Sequence, residues 1–265
     1  MKKIQLIYTV TGSYKGYFDA FLKSIKHFFP TAEKKVTILS DGLSEYNGYT
    51  EENITVECVK FYHLIYPTVN LNKPVFINDV MDENCDYVFY FDADTIFKEV
   101  HEYDWEEFSR QLDEGKIIVS KHPFYALKDT AGYWGLQKKY VIGNFFTDNV
   151  TEKDERFASY IADTEYTYLI TSFFGGKPKP LKYFDNRLIE MAQQDLQKYP
   201  LGYHIPRYMD ENYANKLYVE SEKGTITDIK FYVGQFSELY DGVNDNISTV
   251  FMYQKGMKDL KENRR

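Results

Sequence analysis

Apolar and polar positions along the first 120 residues switch between two periods. Residues 4–10 form an unbroken, β-rich apolar run, the pattern of a strand covered on both faces. Over 17–29 the apolar side chains fall at 18, 21, 22, 25 and 28 or 29, one face of a helix, and Pro30 closes it. Residues 36–39 predict a second strand, ended by the turn pair Asp41-Gly42, and 54–59 a third. A short helix is predicted over 73–81. A strongly apolar strand (YVFYF) follows at 87–91, and a further strand at 117–120. Strands alternating with helices imply an α/β domain with a mainly parallel sheet, whose ligand crevice lies at the carboxyl ends of the strands. The second half is less regular. It carries helical patterns at 156–161 and at 185–199, with Asp185 as N-cap, and a short helix that Asp210 would cap, running to residue 216.

Composition narrows this picture. With 265 residues, 43% of them hydrophobic, the chain can bury a large core without covalent staples. Cys58 and Cys85 are its only cysteines, so a disulfide scaffold is excluded and a reducing compartment is expected. The start, Met1-Lys2-Lys3-Ile4, has no apolar signal region, and no apolar run approaches the roughly 18 residues of a membrane span. A soluble, cytoplasmic protein is therefore expected. A net charge of −8 argues against nucleic acid as the main partner. Basic residues do gather late, at Lys255, Lys258, Lys261, Arg264 and Arg265. They read either as a solvated tail, or as a segment that folds over a phosphate-bearing ligand or associates peripherally with an anionic membrane.

The candidate chemistry sits after the fourth apolar run, in Phe91-Asp92-Ala93-Asp94-Thr95. Two carboxylates two residues apart, where a strand enters a loop, can point into one crevice. Such hard oxygens suit Mg²⁺ or Mn²⁺, and the ion can bridge the phosphates of a nucleoside diphosphate. With twenty aspartates in the chain, about one such pair is expected by chance, so its placement after a buried strand is the informative part. The five histidines show no zinc spacing, and neither a Walker loop nor a Gly-x-Ser-x-Gly elbow is present.

Four segments, in order across residues 4–217, resemble glycosyltransferase family 6, which contains the blood-group A and B transferases and α1,3-galactosyltransferases. They are Ile7-Tyr8-Thr9-Val10-Thr11-Gly12-Ser13-Tyr14, Asp92-Ala93-Asp94, Ser172-Phe173-Phe174-Gly175-Gly176, and Tyr208-Met209-Asp210-Glu211-Asn212 followed by Asn215-Lys216. The resemblance implies one GT-A domain over 1–265, with a nucleotide-binding half (1–120), an acceptor and catalytic half (121–250) and a flexible basic tail (251–265). It implies a UDP-sugar donor, with galactose or N-acetylgalactosamine as the hexose. The acceptor would be a saccharide or lipid-linked glycan, with Mn²⁺ or Mg²⁺ as the cofactor and bacterial surface glycan as the product. By the same resemblance Tyr8, Thr9, Val10 and Tyr14 would meet the uridine. Asp92, Ala93 and Asp94 would hold the metal and diphosphate, and Ile170 and Ser172 would select the sugar. Lys255 would reach the phosphates from the tail. His122, Phe174, Gly175 and Tyr208 would contact the acceptor. The chain departs from the family at Met209, where a histidine is usual, and at 70–74, where Lys73 stands in for an arginine near the donor. Glu211 would work on the donor's β face, as nucleophile or as a carboxylate stabilising an oxocarbenium-like centre, with Asp210 on a donor hydroxyl. Front-face attack is the other route to retention. An inverting GT-A transferase, such as a galactofuranosyl- or glucosyltransferase, and a non-catalytic carbohydrate-binding protein are the competing readings.

Overall fold

A computed structural model describes residues 1–64, 68–93, 95–97, 104–121, 152, 154–162, 169–198, 209–221, 226–229, 233–234 and 251–253. The first apolar run becomes β1 (Lys3–Val10), whose residues from Ile4 onward are all buried. Burial on both faces demands helices on both sides of the sheet. The chain then makes a 3-10 turn at Gly12–Tyr17, helix α1 (Phe18–Ser24) and a second 3-10 turn at Ile25–His27, in place of one continuous helix over 17–29. β2 (Glu33–Ser40), the two-residue β3 (Thr50–Glu51) and β4 (Ile54–Lys60) follow, then helix α2 (Thr68–Val80). The helix expected over 73–81 instead begins five residues earlier, as α2, and carries Pro74 inside.

β5 (Tyr87–Asp92) contains the YVFYF run and ends on the first carboxylate of the acidic pair. After it come β6 (Thr95–Phe97), helix α3 (Trp105–Asp113) and β7 (Ile117–Lys121). Asp104 caps α3, accepting from the Glu107 amide at 2.8 Å. β8 (Leu169–Gly176) and helices α4 (Pro178–Lys198) and α5 (Met209–Glu220) form the second half, with β9 (Ile226–Ile229), β10 (Val233–Gly234) and β11 (Phe251–Tyr253). Two helix readings are corrected here. Residues 156–161 form turns, and α4 starts at Pro178, which puts Asp185 in mid-helix and fully buried.

The main sheet has the order β3-β4-β2-β1-β5-β8-β7-β9, and a small second sheet has the order β10-β11-β6. In the main sheet β3 and β8 run against the other strands. The expected α/β class with a mostly parallel sheet therefore holds. One face packs on α1 and α3 through an aromatic core, where Tyr8 stacks on Phe21 at 4.0 Å and Phe89 lies between Phe108 and Phe173, each at 6.0 Å. The other face packs on α2, α4 and α5 through Phe76, Ile77, Leu181, Leu188, Tyr213 and Ala214. Gln5, a polar residue wholly buried inside β1, is satisfied. Its amide donates to Thr37 Oγ1 and the Val80 carbonyl, and its oxygen accepts from the Asp82 amide, which fixes the end of α2 to the sheet.

Among the described residues, no helix is long and apolar enough to cross a membrane. At the head of the expected flexible tail, residues 251–253 are strand β11, paired antiparallel with β6 so that Tyr253 faces Thr95.

Candidate active site at the sheet's switch point

From β1 the chain steps outward through β2 and β4, then returns across β1 to β5 on its other side. The strand order thus reverses between β1 and β5, and an open α/β sheet leaves a crevice at such a point, outside the strands' carboxyl ends. Register places Thr9 directly beside Asp92 there.

Asp92 is half-exposed, its side chain at 36%, and its Oδ1 accepts from the Tyr90 hydroxyl at 2.8 Å. Lys73 Nζ, reaching in from α2, lies 3.5 Å from the same oxygen. That ammonium is only 6% exposed and is held on three further sides. It pairs with Asp210 Oδ2 at 2.7 Å, donates to the Thr171 carbonyl at 3.2 Å and sits 5.1 Å from the centroid of the Tyr90 ring. Asp210, in the first turn of α5, is equally buried and fully engaged. Asn70 Nδ2 donates to its Oδ1 at 3.0 Å, and Thr171 Oγ1 donates to its Oδ2 at 2.6 Å. One lysine therefore ties α2, β5, β8 and α5 together at the carboxyl end of β5.

Burial works against both charges, yet the pair stays ionised. Desolvation lowers the Lys73 ammonium, but the Asp210 and Asp92 carboxylates outweigh it and hold the group well above its ordinary value. Desolvation likewise raises Asp210, and Lys73 together with the hydrogen bonds from Lys73, Thr171 and Asn70 brings it below the ordinary carboxylate value. Burial, reinforced by Asp92, pushes the Tyr90 phenol well up and keeps it a neutral donor.

A bulge in β8 delivers Thr171 to this cluster. Val119 of β7 pairs with Phe174, but the next residue, Ser120, pairs with Ile170, so 171–173 are extra to the β7 ladder, while Phe173 still pairs with Phe91 at the end of β5. Ser172, inside the bulge and next to the Phe91–Phe173 pair, has a buried hydroxyl without a hydrogen-bond partner. The start of α5 is clamped to β8 by Asn215. Its amide donates to the Leu169 carbonyl at 3.0 Å and the Glu211 carbonyl at 2.7 Å, and its oxygen accepts from the Leu169 amide at 2.8 Å. Glu211 is half-buried in the helix's first turn, where the dipole favours negative charge.

Other expected site residues divide into groups. Thr9 and Val10 line the end of β1, with Val10 wholly buried. The Tyr8 ring is buried in the α1-side core, and its hydroxyl donates to the Ala93 carbonyl, which anchors the acidic loop from below. Tyr14 is on the surface of the turn after β1. Ile170 is a core residue of the α1-side face. Phe174 and Gly175 lie further down β8, away from Asp92. Phe174 packs on Tyr90 and Phe184. A Cβ on Gly175 would stand 2.2 Å from Phe89 Cδ1 and 2.5 Å from the Val88 carbonyl, so this glycine serves the close approach of β8 to β5. Asp94, His122, Tyr208 and Lys255 lie outside the described residues. Asn70, Tyr90 and Thr171 were not singled out by the sequence, where nothing distinguishes them from ordinary surface or core positions. A second polar cluster caps the same end of the sheet. Asp41 accepts from the Gly12 amide and pairs with Lys15 at 3.3 Å, and Thr11 Oγ1 is 2.9 Å from His63 Nδ1.

Among the described residues, no group of three or more His, Cys, Asp or Glu could hold a metal ion. Among the described residues here, Asp210 is committed to Lys73, Thr171 and Asn70, and Asp92 offers a carboxylate whose Oδ2 is clear of the Tyr90 and Lys73 contacts. That fits a Mg²⁺-type ion, which takes one or two protein carboxylates and completes its shell with substrate phosphates and water. No protein-family profile and no curated protein matches the chain.

Proposed function

We propose that this chain is a GT-A glycosyltransferase that moves a hexose from a UDP-sugar to a saccharide acceptor, with a divalent cation bound through Asp92. One observation carries the reading: Lys73 gathers Asp92 at the switch point and Asp210, the neighbour of Glu211, into a single charged cluster. A diphosphate-holding carboxylate and an acidic helix start from a distant part of the chain are the two halves such a transfer needs.

In the reaction the bond from the anomeric carbon to the β-phosphate oxygen breaks, its electron pair leaving with UDP, and an acceptor hydroxyl oxygen forms the new bond as its proton passes to the departing diphosphate. The bound cation, when present, offsets the charge appearing on the departing diphosphate. Asp92 holds the donor end. Glu211, kept in place by Asn215 and by the Lys73–Asp210 pair behind it, supplies the carboxylate facing the anomeric centre. Pairing of β11 with β6 starts the basic tail beside the acidic loop, the position from which Lys255 would approach the phosphates.

The test is a panel of UDP-Gal, UDP-GalNAc, UDP-Glc, UDP-GlcNAc and UDP-galactofuranose with Mn²⁺, following UDP release. Activity with at least one donor is expected, lost in Asp92→Asn. No release from any donor, with saccharide binding intact, would leave the carbohydrate-binding reading. The product's anomeric proton signal reports retention or inversion.

A further inference from the structure

We infer that Lys73 makes cation binding at Asp92 conditional on the diphosphate, so that the metal enters with the nucleotide or after it. This rests on the reading that Asp92 holds a divalent ion. The Lys73 ammonium lies 3.5 Å from Asp92 Oδ1 and has no room to swing away, being buried and held by Asp210 and the Thr171 carbonyl. Tyr90 adds a second donor to that same oxygen. The carboxylate therefore meets an incoming ion with part of its acceptor capacity already spent.

A metal–oxygen bond of about 2 Å added to this spacing puts the ion about 6 Å from a fixed positive charge. Even at the dielectric constant of water, repulsion between +2 and +1 at that distance weakens binding about tenfold, and more in a less polar crevice. Asp210 offsets part of this, but its oxygens are committed to Lys73, Thr171 and Asn70. A diphosphate reverses the balance. Its negative charges attract the ion and the ammonium alike, and its oxygens complete the ion's coordination shell.

The test measures Mn²⁺ binding by the loss of its free-ion EPR signal, first with Mn²⁺ alone and then with saturating UDP, so no turnover is needed. In the wild type, UDP should tighten Mn²⁺ binding by about tenfold or more. Lys73→Gln should tighten binding of Mn²⁺ alone by about threefold or more and narrow the UDP effect, while Lys73→Arg, which keeps the charge, should retain the wild-type ratio. Lys73→Gln leaves Asp210 buried and uncompensated. Should that variant fail to melt cooperatively, Lys73→Gln/Asp210→Asn removes the orphaned charge and should tighten Mn²⁺ alone by less, because the attraction of Asp210 goes with the nearer repulsion of Lys73. Unchanged Mn²⁺-alone affinity in the charge-removing variants, with UDP still tightening the wild type, overturns the role of Lys73 and leaves the metal site standing. Failure of the wild type to bind Mn²⁺ even with UDP, or wild-type binding by Asp92→Asn, overturns the metal site itself.

Discussion

Asp185 offers a quantitative test of how this fold treats a buried charge. It sits inside α4 with 0% exposure, one turn from Leu181 on one side and Leu188 on the other, and neither carboxyl oxygen has a hydrogen-bond partner. Burial alone pushes its carboxyl well above the ordinary value of 3.8, so the folded protein holds it neutral. A neutral but unpaired carboxyl in an apolar layer costs about 1–3 kcal/mol. Leucine at the same place would add about 1.5–3 kcal/mol of apolar burial, less about 1 kcal/mol or more for its larger shape. Asp185→Leu should therefore stabilise the protein by about 1–4 kcal/mol below pH 3.8, and by about 1.6 kcal/mol more at pH 5. The gain should also grow with pH. Above 3.8 the unfolded chain releases this proton while the folded chain keeps it, so the unfolded state binds fewer protons and wild-type stability falls by about 1.36 kcal/mol per pH unit until the folded carboxyl ionises. Urea denaturation of both proteins at pH 5, 6 and 7 reads the difference, in which the other titrating groups cancel. Asp185→Asn, similar in shape but without a proton to lose, should remove the same pH dependence. A gap that stays flat across this range, or a leucine variant less stable at every pH, would refute the reasoning.

Three further outcomes follow from other parts of the structure. Glu211→Gln should lower kcat by about a hundredfold or more with little change in UDP affinity measured by calorimetry; a near-normal kcat would remove it from the chemistry. Gly175→Ala should destabilise the fold by about 2 kcal/mol or more, read as a lowered Tm, because the new methyl meets the Val88 backbone as well as a ring; an unchanged Tm would show that β8 and β5 can part freely. Lys34 is buried in β2 with one acceptor, the Ala32 carbonyl at 3.2 Å, and burial lowers its ammonium to about 8. Below pH 8 both folded and unfolded chains carry this proton and the full cost is present. Between pH 8 and 10.5 the unfolded chain binds more, so wild-type stability rises by up to about 3 kcal/mol, and Lys34→Met should be more stable at pH 7 and lose that rise. Parallel stability curves for the two proteins above pH 8 would contradict this.

Periodicity along the chain was enough for the strands at the heart of the sheet and for the α/β class, because a strand covered on both faces is apolar at nearly every position, and runs such as 4–10 and 87–91 have no other economical use. The position of Asp92 at the carboxyl end of β5 was legible for the same reason, since it follows directly on the apolar run. Helix starts were less legible. Asp185 resembles a start signal, yet it lies inside a helix, because packing against the sheet outweighs the local preference of a single residue. The three-residue bulge of β8 left no mark either, since it depends on how β7 and β5 pair with that strand.

What the sequence settled by itself was local: which stretches are buried, where the sheet's main strands run, and that an acidic pair follows one of them. Only the tertiary structure decided that Lys73 is an internal counter-ion with its charge turned toward Asp210 and Asp92, 137 and 19 residues away along the chain. An ammonium cannot be buried without carboxylates within a few ångströms. Which carboxylates those are depends on how α2, β5 and α5 converge, and no spacing along one stretch of chain encodes that.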